Sequence, residues 1–263
     1  MTDEALPRAP FFRQNRKALL GALAVALFLA AWQAVFLIIP FNPLFITTPG
    51  LMAKALVELA ASGELSADLA VSAVPFLYGF GAAIIVGVPL GVVMGWRARW
   101  SYTLDPLLTA LYASPLVALA PLVVIFLGVG VAGKAIIIFL LSVFPFVFNA
   151  AAGVRVVDPL LINVVRGMGG NERDLYLKVL FPSVMPYVVA GARIAIGRAL
   201  IGVLVGEFFA ASEGIGYAIA RFGDMFALDR MFACILVITV LAVLFTEGIR
   251  WAERTAFPWR VRD

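Results

Sequence analysis

The chain has 263 residues, 63% apolar and 14% charged, with 20 Lys and Arg against 16 Asp and Glu, no histidine, and a mean hydropathy of +1.03. Soluble domains run at roughly half apolar and a quarter charged, so one water-surrounded core could not enclose this much apolar surface, and the bilayer is the natural solvent. The missing histidine excludes Ser-His-Asp and Cys-His pairs, imidazole metal ligands and imidazole proton relays, while the single Cys234, in an apolar run, reads as a small buried hydrophobe.

A hydrocarbon core of about 30 Å takes roughly 20 apolar residues in helix, and six stretches meet or approach that length. The first, Ala18 to Ile39, is broken only by Gln33 and ends at Pro40. Basic residues precede it (Arg8, Arg13, Arg16, Lys17), as in a signal peptide. Its length exceeds the about 7–15 residues of a signal-peptide apolar core, so it is expected to be retained as a span. Residues 40–68 follow as an outer loop, with Pro43, Thr47, Thr48 and Pro49 and then an amphipathic stretch, Leu51 to Leu59, expected at the interface. The second span runs from about Leu69 to Met94, the third from Pro106 to Leu127 and the fourth from Gly133 to Val154. The fifth covers Pro186 to Phe209 and the sixth Met231 to Trp251, with a mixed outer segment, Ser212 to Asp229, between them. With an inside N-terminus, inner segments carry 14 of the 20 Lys and Arg and outer ones only Lys54, Lys134, Arg221 and Arg230. That asymmetry places both termini and the long 155–185 loop in the cytoplasm.

Gly128, Gly130 and Gly133, followed by Lys134 and Ala135, superficially match phosphate-binding patterns. Both matches fail on context. Position 135 lacks the hydroxyl that would hold magnesium, and the glycines join two apolar stretches rather than a strand and a helix. A tight turn between spans accounts for them, and no nucleotide site is expected. Ala83, Gly87, Gly91 and Gly95 recur every four residues in the second span, and Gly191, Ala195 and Ala199, with Gly202 and Gly206, form similar rows in the fifth. Such small-residue faces let helix backbones approach, either within the chain or at a moving interface. Arg193 and Arg198 lie inside the fifth span, where a charge must face protein, a cavity or the interface. Arg193 is close enough to the inner boundary to snorkel. Arg198 is deeper, beside a solute path or paired within the bundle, and Glu207 is a candidate pairing or gating group rather than a catalyst.

The inner loop reads Asn163-Val-Val-Arg-Gly-Met-Gly169, then nine residues, then Val179-Leu-Phe-Pro182. Gly169 permits a sharp reversal between two short helices, about Pro159 to Met168 and Glu172 to Leu180, with Pro182 expected to stop the second. At more than a few residues, the loop is too long for a mere connector.

This spacing resembles the EAA loop of bacterial ABC importer permeases: Glu-Ala-Ala, three residues, Gly, nine residues, Ile-x-Leu-Pro. Asn163 stands where the motif has Glu, and Val164 and Val165 where it has Ala. Further segments resemble the nitrate, sulfonate and taurine branch of that family. They are Gly87-Val-Pro-Leu-Gly91, Asp105-Pro106, Ala120-Pro121-Leu122, Val157-Asp158-Pro159, Gly191-Ala192-Arg193-Ile194, Gly206-Glu207 and Ser212-Glu213-Gly214-Ile215-Gly216-Tyr217. The resemblance spans about residues 45–255. It implies an all-α polytopic inner-membrane protein, type I ABC importer permease-like, with a cytoplasmic segment 1–17, a six-helix domain 18–254 and a cytoplasmic tail 255–263. It implies no catalytic residue, metal or cofactor on this chain, with ATP and Mg held by partner ATPases. The implied partners are a second copy of the chain, two cytoplasmic ABC ATPase subunits, a periplasmic or tethered substrate-binding protein and membrane lipid, with no nucleic acid. The implied coupling residues are Asn163, Val164, Val165, Arg166, Gly169, Val179, Phe181 and Pro182, and the implied substrate a small anion such as nitrate, taurine, a sulfonate or an organic acid. The competing classes are a gradient-driven secondary transporter, which often shows inverted repeats or acidic relays, and an intramembrane enzyme, which needs a polar constellation within the spans. Neither signal is evident in the sequence.

Overall fold

Apolar runs in a bilayer must satisfy their backbone groups internally, and helices do so. In the computed structural model, which describes residues 16–38, 42, 45–210 and 212–256, every regular element is helical. The 1–17 segment and the 255–263 tail lie largely outside the described residues.

Helix α1 (Arg16–Ile38) is exposed along most of its length. It meets the rest of the chain through Trp32, whose ring lies 6.5 Å from that of Phe232, and through Gln33, whose Oε1 accepts the Gly50 N–H at 3.2 Å. That bond satisfies one of the orphan donors that open α2 (Pro49–Ala61), and the Thr48 hydroxyl accepts another from Leu51. The amphipathic stretch is therefore a helix whose buried stripe is Met52, Ala55 and Leu59.

Helices α3 (Glu64–Trp96) and α4 (Ala98–Ala113) follow. A short 3₁₀ turn, Leu116–Leu119, leads into α5 (Ala120–Leu127). The third apolar stretch is thus not one straight span. Its two halves meet at 82°, because Pro115 pushes Ser114 out of the helical region to ψ 151°. Helix α6 (Val131–Arg155) begins after the expected glycine turn, where Gly128 adopts φ +77°.

Among the described residues, five helices are long and apolar enough to cross a membrane, and the bent pair makes a sixth if counted as one span. The core is centred on α6, which is held between α3 and the long helix α9 (Phe181–Ala210). Both neighbours present their small-residue rows to it. A Cβ on Gly95 would come within 2.5 Å of Val154 Cβ, and one on Gly87 within 2.9 Å of Phe146 Cβ. Gly91 lies directly against the Val147 carbonyl. From the other side, Gly202 abuts Ile138 Cα and Gly191 the Pro145 carbonyl, each 2.9 Å from a Cβ placed there. These rows therefore serve packing within the chain. With lipid as apolar as leucine, close backbone approach supplies the dispersion contacts that water exclusion would supply elsewhere.

Between α6 and α9 the chain forms α7 (Pro159–Gly167) and the short α8 (Glu172–Leu175). After α9 come α10 (Ile215–Asp224) and α11 (Leu228–Ala256). Arg193 is ion-paired to Glu253 of α11 at 3.4 Å rather than left to snorkel.

Candidate functional site

The loop between α6 and α9 is built from local capping. Asp158 Oδ1 accepts the Leu160 N–H at 2.8 Å and starts α7, with Pro159 in the first turn. The reversal comes at Gly169, φ +77°, as its position predicts. Gly170 is the residue sequence reasoning missed. Its N–H donates to the Val165 carbonyl at 2.9 Å, and a Cβ there would come within 2.6 Å of Val165 Cγ1. Val165 and Gly170 thus pack the two arms together. Arg166 also bridges them, 3.7 Å from Glu172. Asn171 and Asp174 form a reciprocal capping box that starts α8.

Pro182 does not stop the second arm. A π turn over Tyr176–Leu180, closed by the Phe181 N–H on the Tyr176 carbonyl, runs straight into α9. The wider turn and the first-turn position accommodate a ring that an α-helix interior would reject. The helical path from Glu172 to Phe209 covers 38 residues, about 57 Å at 1.5 Å per residue. That exceeds the bilayer core, so its first turns stand outside the span. There Lys178, 2.8 Å from Asp174, together with the Asn171 N–H, holds the Asp174 carboxyl below its ordinary value.

None of the α7 residues is buried. Leu160 and Met168 are 65% and 83% exposed, and Leu161 and Val164 are exposed with them. Asn163 and Arg166 are exposed, whereas Val179 is buried and Phe181 exposed.

A second polar cluster sits at the opposite end of the bundle. Glu207, 1% exposed, accepts from Ser72 Oγ at 2.8 Å and from the Gly216 N–H at 2.8 Å, and faces Lys134 Nζ at 3.9 Å. Ser72 Oγ in turn accepts the Ile215 N–H at 3.0 Å, and Asp68 Oδ1 the Gly214 N–H at 3.1 Å. The N–H groups opening α10 are therefore taken up by two residues of α3, at i and i+4, and one of α9. Gly214, at φ +112°, leaves room for the carboxylate, since a Cβ there would lie 2.5 Å from Glu207 Oε1. Arg221 secures the far end of α10 by an ion pair to Glu64, and its guanidinium lies 4.7 Å from the Phe222 ring centre. Beside this cluster opens a cavity of about 790 Å³ lined by Lys134, Glu213, Tyr217, Arg221 and Asp224 together with Phe208 and Phe209.

Arg198 belongs to neither end. Its Nη2 donates to Tyr112 Oη at 2.9 Å and its guanidinium lies 4.6 Å from the ring centre, with Tyr112 packed on Phe144 and Phe148. From the helix rise, Arg198 is about 13 Å from Glu207 and about 26 Å from Phe181 along α9. The three sets of candidate residues are therefore separate places on one bundle. Asp68, Ser72 and Tyr112 carried no motif that could have marked them.

Residues 87–255 match the family of binding-protein-dependent transport system inner membrane components. The taurine transport system permease protein TauC of Escherichia coli is 28% identical over 93% of this chain and 91% of its own length. The putative aliphatic sulfonates transport permease protein SsuC of Bacillus subtilis is 30% identical over 91% and 87%. The formylaminopyrimidine transport permease protein ThiX of Halalkalibacterium halodurans is 29% identical over 95% and 100%. In fold, a chain of the inward-facing MetNI methionine ABC transporter superimposes with a TM-score of 0.52 at 19% identity, covering 82% of this chain and all of that one. The glycine-packed bundle, the exposed helical loop and these matches agree: the chain belongs to the binding-protein-dependent transport system inner membrane component family, as a multi-pass ABC importer permease subunit of the nitrate, sulfonate and taurine branch and not an enzyme.

Proposed function

We propose that two copies of this chain enclose the solute path of an ATP-driven importer, with two ATPase subunits docked on α7 in the cytoplasm. A periplasmic or tethered binding protein delivers solute at the Glu207 end. The observation that carries the docking role is the uncovered apolar face of Leu160, Leu161 and Val164 on α7, continued by Met168 just past its end, on a helix fixed at both ends by Asp158 and the Gly169–Gly170 reversal. A rigid apolar ridge of this kind seats in a cleft of a soluble partner. The charge asymmetry of the loops supports an inside position for it and for both termini. The partner ATPases hold ATP and Mg; this chain's share is mechanical. α8, the π turn and α9 form one helical path, so a displacement at Asn163–Gly169 passes along a rod to Arg198 and Glu207. ATP supplies the bias by its different affinities for the two ATPase states.

Substitution of Met168 by Asp tests the coupling, because that side chain packs on nothing the bundle needs. Co-purification with the ATPase and solute uptake are both lost while membrane insertion persists. Retention of both overturns the coupling role of this loop. For the solute, Arg198 on Tyr112 supports a small anion, as do the taurine and sulfonate relatives. The formylaminopyrimidine relative supports a second reading, an uncharged nitrogen heterocycle. Competition of uptake by taurine and alkanesulfonates, but not by aminopyrimidines, decides for the anion; the reverse pattern decides against it.

A further inference from the structure

A separate cavity of about 530 Å³ lies at the α7 end, between the last turns of α3 and α6 and the first turns of α4, lined by Trp96, Ser101, Tyr102, Asp105 and Arg155 among others. Arg155 Nη2 donates to Ser101 Oγ at 2.8 Å, a bond that occupies one of five guanidinium N–H donors. The lining itself carries one guanidinium, Arg155, and one carboxylate, Asp105, and Arg97 and Arg99, next to lining residues in sequence, are exposed and add two cations to this stretch of the chain. Trp100 and Tyr102 are exposed on the same turn of α4, and Val93 and Leu107 carry the exposed apolar surface along α3 and α4. Two walls of the cavity lead into the loop. Arg155 ends α6 just before α7 begins at Pro159, and the Trp96 ring centre lies 6.0 Å from that of Tyr176 in the second arm.

We propose that this cavity binds the phosphate of an anionic phospholipid headgroup and that its occupancy braces both arms of the loop. A guanidinium matches phosphate oxygens in a fork, Trp and Tyr sit at headgroup depth, and basic pockets between helices on the cytoplasmic side suit anionic lipids. Inorganic phosphate offers the same anion but nothing to lie along the apolar flank of α3 and α4, so the lipid is the occupant. The cytoplasmic placement rests on the orientation proposed above; lipid binding itself is read on the isolated chain and stands or falls independently of ATPase coupling.

The test is native mass spectrometry of the purified, delipidated full chain offered dioleoyl phosphatidylglycerol or dioleoyl phosphatidylcholine, with inorganic phosphate as competitor. The wild type retains phosphatidylglycerol preferentially and phosphate fails to displace it. Arg155→Gln lowers that retention about fivefold, the loss for one arginine near an anionic surface, whereas Asp105→Asn raises it, a gain that misfolding would not produce. Amide exchange over residues 156–176 slows when phosphatidylglycerol is added to the wild type and not to Arg155→Gln. Equal retention of the two lipids, or an unchanged Arg155→Gln, overturns the site. Displacement by phosphate overturns the lipid as its occupant, and unchanged amide exchange overturns the bracing.

Discussion

Removing the carboxylate of Glu207 should release α10 from the bundle. The Ala variant strips a partner from the Ser72 hydroxyl, from the Gly216 N–H and from Lys134 at once, all at a site where Glu207 is 1% exposed. Each buried group left unpaired costs about 1–3 kcal/mol, and breaking a buried ion pair about 3–5 kcal/mol. Lys134 lies 3.9 Å away with a side chain 11% exposed, close enough to water to relax, so its share is small. The total expected for Glu207→Ala is about 3–5 kcal/mol. Glu207→Gln keeps the volume and one acceptor but turns an NH₂ toward one of two donors, for a loss of about 1–2 kcal/mol. At about 2–4 °C per kcal/mol for a chain of this size, the apparent melting temperature in detergent at fixed scan rate falls by roughly 6–20 °C for Ala and by roughly 2–8 °C for Gln. Limited proteolysis near 212–228 rises in the same order. An Ala variant that melts with the wild type, or a Gln variant that falls as far as Ala, refutes the carboxylate as the clamp.

Gly91→Leu should fail to assemble α3 on α6, because the side chain meets the Val147 carbonyl with no flexible neighbour to yield. Overpacking of this kind costs about 1–3 kcal/mol or more, and a size-exclusion profile shifted to aggregates reports it. In the loop, Gly169→Ala faces open space and pays only the left-handed backbone cost at φ +77°, about 1–2 kcal/mol, whereas Gly170→Val collides with the Val165 side chain and carbonyl, an overpacking cost of about 1–3 kcal/mol or more. Uptake should therefore fall further for Gly170→Val, and equal uptake in the two would show that the Val165 contact is idle. Tyr112→Phe removes the hydrogen bond from Arg198, about 1 kcal/mol, but keeps the ring, while Arg198→Lys loses the planar stack as well. An uptake Michaelis constant raised more by the lysine than by the phenylalanine checks this order.

Much of the architecture was legible in the residues because a bilayer leaves few options. Length and hydropathy located the spans, and the Gly169 spacing located the reversal before any contact was known. The glycine rows of α3 and α9 were visible as rows, but only the bundle showed that both face α6, since four-residue spacing marks a face and not its partner. The third stretch looked continuous because its composition is uniform; Pro115 broke it at 82°. Pro182 reads as a stop by the local rule for proline, which ignores the π turn that makes room for the ring. The cluster of Asp68, Ser72, Glu207, Gly214 and Gly216 hydrogen-bonds residues as far as 146 positions apart along the chain, held together only by the packing of α3, α9 and α10. The sequence alone determined where the apolar stretches and the exposed loop lie, because those depend on neighbours along the chain. Which polar groups find one another at the far end was decided by tertiary structure, because a buried hydrogen bond is a meeting of helices.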